Sequence, residues 1–270
     1  MEKVSLVIAD IDNTLVEKHK DISIRTADVI KRLRHEGISF GLASGRSCQQ
    51  LMILCDKWNI KADMLIGLNG SEIYDEDGLE KLYELDSVSI KEILEIMSPF
   101  DTTFSIRRNG ISIVNKMDQR IKSSSNYIKN GVPTHIAEDL SEFYAGSAPK
   151  IGFRVSEEIM PDIEKRAAQF PSEKYIGFKT ERTMFEFTNS SATKGNALLY
   201  YCRKHQMPVS EVWAFGDMSN DNDMLIKSGR GICMLNGDEE TKKAADAVSE
   251  YDCSHDGFAR YIEMHLWNHE

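Results

Sequence analysis

Val4-Ser5-Leu6-Val7-Ile8-Ala9-Asp10-Ile11-Asp12-Asn13-Thr14-Leu15 opens with an apolar run that ends on two aspartates. The run is nearly continuous rather than alternating, which predicts a strand covered on both faces, as in a parallel sheet. Downstream, residues 24–36 carry Ile24, Ala27, Val29, Ile30 and Leu33 close to helical spacing, with Gly37 placed to cap the last turn. Residues 38–43 read as a second strand, 49–58 as a second helix and 64–68 as a third strand. Strand, helix, strand, helix, strand is the pattern of a doubly wound α/β sheet.

The grammar then changes. Residues 89–97 form a helical pattern, and segments 103–106 and 111–114 flank Asn109-Gly110, a strong hairpin turn. A helical and loop-rich stretch follows, then a strand at 150–155, a helix at 157–170 and a second hairpin from 175–180 and 183–188. Helix-plus-hairpin twice over predicts an antiparallel sheet backed by helices. The alternating pattern resumes with a helix at 194–205, a strand at 211–215, a helix at 221–227, a strand at 231–235 and a helix at 239–247. The tail from Trp267 to Glu270 is expected to fray. The chain therefore divides into a core, 1–84 with 186–270, and an α/β domain inserted at 85–185.

The 270 residues include 33 Lys+Arg and 43 Asp+Glu, a formal net charge of −10. This balance disfavours a nucleic-acid partner, which calls for a basic field. No stretch approaches the roughly 18–20 apolar residues that span a bilayer, and the opening Met1-Glu2-Lys3-Val4 lacks a signal-peptide plan. Cys48, Cys55, Cys202, Cys233 and Cys253 are odd in number and scattered, the pattern of free thiols in a reducing compartment. A cytoplasmic protein, monomeric or weakly self-associating, with a small-molecule partner and no membrane partner is expected.

In an open α/β sheet, ligands bind beyond the carboxyl ends of the strands. Those positions carry Asp10 and Asp12, then Ser44-Gly45-Arg46, Asn69-Gly70 and Gly216-Asp217 with Asn220-Asp221; Lys194 opens a helix of the second half. Carboxylates at i and i+2 past a strand project from the same side, and close like charges need a cation or a proton between them. With Asp217 and Asp221 the site holds four acids. A hard, oxygen-liking dication, Mg²⁺, is the economical solution, because it keeps several waters and recruits phosphate oxygens. One aspartate can then remain an ionised nucleophile while another works as a general acid.

Asp10-Ile11-Asp12-Asn13-Thr14-Leu15 resembles the first motif of the haloacid dehalogenase-like phosphatases. Ser44, Lys194 and Gly216-Asp217-Met218-Ser219-Asn220-Asp221 match the second, third and fourth in order. Asn69-Gly70, Leu235-Asn236-Gly237 and His255-Asp256-Gly257 resemble segments of the Cof-type branch, subclass IIB. The resemblance covers nearly the whole chain. It implies a Rossmann-like core with an inserted α/β cap of the C2B type, and a Mg²⁺-dependent phosphomonoester hydrolase acting on small phosphorylated metabolites, above all sugar phosphates. It implies that Asp10 attacks phosphorus to form an aspartyl-phosphate and that Asp12 protonates the leaving alkoxide, then activates water. It implies phosphate binding by Ser44, Gly45, Lys194 and Asn220, and metal binding by Asp10, the Asp12 carbonyl, Asp217 and, directly or through water, Asp221. It further implies a mobile cap that closes over the substrate.

Asn13 stands where Gly is commoner, and Asn tolerates a left-handed backbone. Ser44 replaces a frequent Thr, Met218 a frequent Gly and Gly237 a usual Ala; none removes a reacting group. Arg46 reads better as a residue at a helix start paired with an acid than as a phosphate ligand. Arg107, Arg108 and Arg154 are candidates to read a polar or anionic substrate, with solvated charge the better reading for one of the first two. Trp213 reads as core, the seven histidines lack ligand spacing, and Asp75-Glu76-Asp77-Gly78 reads as a hairpin turn rather than a calcium loop. The rival functions are a phosphotransferase or phosphosugar mutase using the same Asp10, a non-enzymatic phosphate sensor, and a glycosyltransferase, which leaves Lys194 and Asp217 without roles. If Asp12 holds a proton, Mg²⁺ and Lys194 balance the three remaining carboxylates, so net acidity does not oppose an anionic substrate.

Overall fold

A computed structural model of the chain describes residues 3–17, 20–122 and 133–267. They form two compact units, Met1–Leu82 with Ala192–Glu270, and Tyr83–Ser191.

The first unit is built on an eight-stranded sheet. Its strands are β1 (Leu6–Ala9), β2 (Ser39–Ala43), β3 (Met64–Gly67), β4 (Glu72–Asp75), β5 (Gly78–Lys81), β12 (Val212–Gly216), β13 (Arg230–Cys233) and β14 (Ala247–Val248), in the order β14-β13-β12-β1-β2-β3-β4-β5. Pairing is parallel from β14 through β3 and antiparallel at β4 and β5. Strand β1 is buried throughout. Val7 and Ala9 join one apolar cluster with α1 (Ile24–His35), α2 (Cys48–Trp58) and α9 (Gly257–Ile262). Leu6 and Ile8 join another, with α6 (Lys194–Lys204) and α7 (Asn222–Lys227). The continuous apolar run is thus explained by helices on both faces. Trp213 lies in the first cluster as a core residue, 4% exposed.

Local chemistry sets the boundaries. Ser23 caps α1 by accepting from the Thr26 amide, and Gly37 takes φ 80° just past its end. Ser47 and Gln50 form a reciprocal capping box at the start of α2. The Asp75–Gly78 segment is the β4–β5 hairpin turn, as read from the sequence. The sequence reading missed α9, β8 (Thr134–Ile136) and the short β14, across whose first residue it ran a helix that in fact ends at Ala244.

The second unit holds a six-stranded sheet, β10-β11-β9-β6-β7-β8. It is made from β6 (Thr103–Arg108), β7 (Ile111–Val114), β8, β9 (Lys150–Arg154), β10 (Tyr175–Glu181) and β11 (Met184–Asn189). Asn109 and Gly110 both adopt positive φ, 52° and 79°, as the β6–β7 hairpin requires. Helices α3 (Ser87–Met97) and α5 (Met160–Ala168) bury Ile90, Ile93, Met97, Met160 and Ile163 against Ile106, Ile151, Phe153, Phe185 and Phe187. A short α4 (Gln119–Lys122) lies between β7 and β8.

Three expectations need correction. The sheet is not wholly antiparallel, because β8 pairs parallel to β7 after a crossover; part of the stretch read as helical and loop-rich, 123–132, lies outside the described residues. The helix at 157–170 is shorter, because a 3₁₀ turn at Glu157–Ile159 precedes α5 and Pro161 suits a helix's first turn. Trp267 is not frayed: its indole donates to Glu36 at 2.6 Å and Arg32 stacks 3.8 Å from its ring centroid. Residues 268–270, the rest of that tail, lie outside the described residues.

Candidate active site

Strand β1 is where the sheet order reverses, with β2 on one side and β12 on the other. Pairing runs one residue past β1, where the Asp10 amide donates to the Phe215 carbonyl at 3.0 Å, and the Ser44 amide donates to the Ile66 carbonyl at 2.9 Å. Asp10, Ser44 and Asp217 therefore emerge from three neighbouring strand ends although they lie far apart in sequence.

Lys194 arrives from the other direction. It is the first residue of α6, whose cap Thr193 accepts from the Asn196 amide at 3.0 Å. Gly70, at φ 105°, packs on that cap so closely that a Cβ would sit 2.2 Å from the Thr193 carbonyl oxygen. Only glycine permits this approach, which explains the Asn69-Gly70 pair. The Lys194 side chain is fully buried; its ammonium donates to Asp10 Oδ1 at 2.5 Å and Asp221 Oδ1 at 2.6 Å.

Asp10, Asp217 and Asp221 each offer a carboxylate oxygen, all within 4.8 Å of one another, and all three residues are buried. Thr14 donates its hydroxyl to Asp217 Oδ1 at 3.0 Å. Asp221 Oδ2 accepts from the amides of Asp217 and Met218 at 3.0 and 3.2 Å. A Cβ on Gly216 would lie 2.4 Å from Asp221 Cβ, so Gly216 makes room for that turn. Burial, reinforced by the Asp221 and Asp217 charges and opposed by Lys194, raises Asp10 to about 7. Burial and the Asp221 charge raise Asp217 to about 6, against Thr14 and Lys194. For Lys194 burial works to lower the ammonium, yet Asp10 and Asp221 outweigh it and lift it above its ordinary value.

These groups fit a divalent cation. Three carboxylates against one ammonium leave a buried site two charges negative, and hard oxygen donors are what Mg²⁺ takes. The counterpart of this fit is the upward push on Asp10 and Asp217, which a bound dication reverses.

Asp12 stands apart from the trio. Its carboxylate receives two bonds from Arg46 Nη2, both 2.8 Å, and its side chain is one-third exposed. Arg46 is thus the acid-paired residue near a helix start that its position suggested, one residue before the cap Ser47. Asn13 adopts φ 63°, the left-handed backbone for which Asn was expected.

Ser44 is buried beside Gly45, which is exposed, and accepts from the Arg46 amide at 3.3 Å. Asn220 is exposed and donates to Asn69 at 3.3 Å. Gly237 has a local reason: a Cβ there would lie 2.5 Å from Cys233 Sγ. The sequence reading left Thr14 without a role, although it sits inside the first motif, and did not pair Arg46 with Asp12 in particular. In the second unit, Arg108 is spent on the carbonyls of Glu142, Phe143, Gly146 and Ser147, so it serves the fold there.

A doubly wound α/β core whose strand ends converge buried carboxylates and one lysine on a cation-sized space defines a class of enzyme that works with charged oxygen. The chain belongs to the haloacid dehalogenase-like hydrolases, whose family pattern it matches over residues 7–262. It is 24% identical to Phosphatase YwpJ of Bacillus subtilis over 91% of this chain and 94% of that one. It is 28% identical to a putative phosphatase of Haemophilus influenzae over 95% and 96%. Among solved structures, TM0651 from Thermotoga maritima superposes with a TM-score of 0.85 at 22% identity, covering 97% of each chain. The subclass IIB sugar phosphatase BT4131 gives 0.75 at 19%, covering 97% and 98%. Among the described residues, no helix is long and apolar enough to cross a membrane.

Proposed function

We propose that the chain is a Mg²⁺-dependent phosphomonoester hydrolase of small phosphorylated metabolites, with sugar phosphates the preferred class. The observation that carries this reading is the buried Asp10–Lys194–Asp221–Asp217 constellation at the switch point of the sheet. The sugar-phosphate class is supported by the fold shared with the sugar phosphatase BT4131 along 97% of this chain. We read the inserted segment as a C2B-type cap spanning 85–185 on a core of 1–84 and 186–270.

In this reading a carboxylate oxygen of Asp10 attacks phosphorus, the ester P–O bond breaks and an aspartyl-phosphate forms. Asp12 gives the departing alkoxide a proton and then takes one from the water that hydrolyses the acyl phosphate. Lys194 opposes protonation of Asp10 and offsets charge on the phosphoryl oxygens, while Ser44, Gly45 and Asn220 present donors to them. Asp10, the Asp12 carbonyl, Asp217 and Asp221 would hold Mg²⁺; Thr14 and the 217–218 amides fix two of these carboxylates in advance. The ion, when bound, supplies neutralisation of carboxylate and phosphate charge.

The test is a panel of phosphate esters with and without Mg²⁺, including sugar phosphates, nucleotides and an aryl phosphate. Mg²⁺-dependent phosphate release with sugar phosphates leading supports the reading. Transfer of phosphate to a sugar acceptor would favour the phosphotransferase, and no turnover of any ester would overturn hydrolysis.

A further inference from the structure

Asp12 is two residues from Asp10, yet its carboxylate lies outside the cluster formed by Asp10, Asp217 and Asp221. Arg46 accounts for this separation. Its Nη2 reaches both Asp12 oxygens at 2.8 Å, and the two side chains are similarly half-exposed, 38% and 33%. Backbone contacts on both sides limit where the pair can go. The Asn13 amide donates to the Val16 carbonyl at 2.6 Å, the Asn236 side chain donates to the Asn13 carbonyl at 2.8 Å, and the Arg46 amide donates to Ser44 Oγ at 3.3 Å. The Arg46 carbonyl accepts from the Leu68 amide at 2.8 Å, which ties that residue to the end of β3. The loop bearing Asp12 and the turn bearing Arg46 are thus each fastened by their backbones, and the side-chain pair bridges them.

We propose that Arg46 is a positioning residue for Asp12. By gripping both carboxylate oxygens it fixes the rotamer that keeps Asp12 outside the metal-binding trio. Without that grip Asp12 is free to swing into the trio, where a fourth carboxylate competes for the cation and no longer meets the departing oxygen. Both contacts come from one nitrogen, so a lysine that reached as far would hold the carboxylate in part. This inference rests on the acid–base part given to Asp12 in the proposed function.

The test separates a positioning part from direct phosphate binding. The protein and its Arg46→Ala, Arg46→Lys, Asp12→Asn and double Asp12→Asn/Arg46→Ala variants are assayed on an alkyl phosphate and on p-nitrophenyl phosphate. The alkyl ester needs its leaving group protonated, whereas the nitrophenolate departs unaided. Arg46→Ala is expected to lower kcat on the alkyl ester by about 10–100-fold, a part of what a positioned acid supplies, with KM changed less than about threefold. The pre-steady-state burst of nitrophenolate is expected to stay near the wild-type rate. Arg46→Lys is expected to recover part of the loss, and the double variant to be no slower than Asp12→Asn alone. A raised KM with unchanged kcat, an equally slowed burst, or losses that add in the double variant would overturn the proposal, as would an unaffected Arg46→Ala enzyme. A wild type that releases phosphate from neither ester would instead overturn the hydrolase reading, and this inference with it.

Discussion

Helix α6 carries a lysine at each end, and the two meet aspartate in opposite ways. At its start, Lys194 is fully buried between Asp10 and Asp221, and burial holds Asp10 at about 7. At its last turn, Lys204 bonds Asp75 at 2.9 Å and reaches Asp77 at 2.9 Å, with its side chain partly in solvent. Asp75 is also buried, yet its carboxyl is held below the usual range. Burial pushes it up, but bonds from His205, Lys204 and the Asp77 amide outweigh that push. The difference lies in the count of partners. Asp75 has three donors, whereas Asp10 has one ammonium and two acidic neighbours. The first arrangement ties the β4–β5 hairpin to the helix; the second is unfinished until a cation joins it.

The sharpest way to break this comparison is to remove each lysine. Lys194→Met should lower kcat/KM for a phosphate ester by about 10²–10³-fold, the cost of one charge-stabilising donor. It should also destabilise the fold by on the order of 3–5 kcal/mol, because two buried acids lose their counter-charge. Lys204→Met should change kcat/KM by less than about twofold, since its partners belong to the β4–β5 hairpin and not to the Asp10, Asp217 and Asp221 trio. Equal effects of the two substitutions on turnover would remove the distinction.

Metal and proton should compete at one end of the helix only. Asp10 and Asp217, raised from 3.8 to about 7 and about 6, hold protons in the metal-free folded protein that the unfolded chain releases. Their contribution to stability is present at low pH and is lost as pH rises through about 6–7. Mg²⁺ must displace those protons, so the rise in Tm on adding Mg²⁺ should be larger near about pH 8 than near about pH 5. Asp75 has the opposite sign: its contribution is present above 3.8 and disappears as pH falls through its lowered value. A Mg²⁺ effect on Tm independent of pH would contradict the account of the trio.

Two smaller effects refine the picture. Thr14→Val removes the hydroxyl that holds Asp217 and should lower kcat about tenfold at limiting Mg²⁺, with recovery as Mg²⁺ is raised. Asp75→Asn should leave turnover within about twofold while lowering Tm by roughly 3–6 °C through weakened hairpin anchoring. Activity assays and thermal melts on the same preparations distinguish the two.

Much of this was legible in the sequence because strand ends announce themselves. The apolar run ending at Asp10, the Ser44-Gly45 turn and Gly216-Asp217 are local signals, and parallel pairing brings them together without further information. The pairing of Arg46 with Asp12 was not legible in detail: two side chains 34 positions apart choose partners by loop geometry, and composition is silent on that. Thr14 was hidden for a similar reason, since a hydroxyl in a tight turn more often serves its own backbone. In the second unit, β8 escaped because Thr134-His135-Ile136 is too short for a period to register. Trp267 escaped because a tryptophan beyond the last helix read in the sequence looks loose until Arg32 and Glu36 are seen beside it.

The most direct measurement asks where the phosphoryl group goes. The enzyme with Mg²⁺ and a phosphate ester is quenched in acid during turnover, digested and mapped by mass spectrometry. The account predicts a phosphorylated peptide whose modified residue is Asp10, and its loss, together with turnover, in a folded Asp10→Asn variant. Phosphate release by Asp10→Asn at a rate near that of the wild type would contradict it.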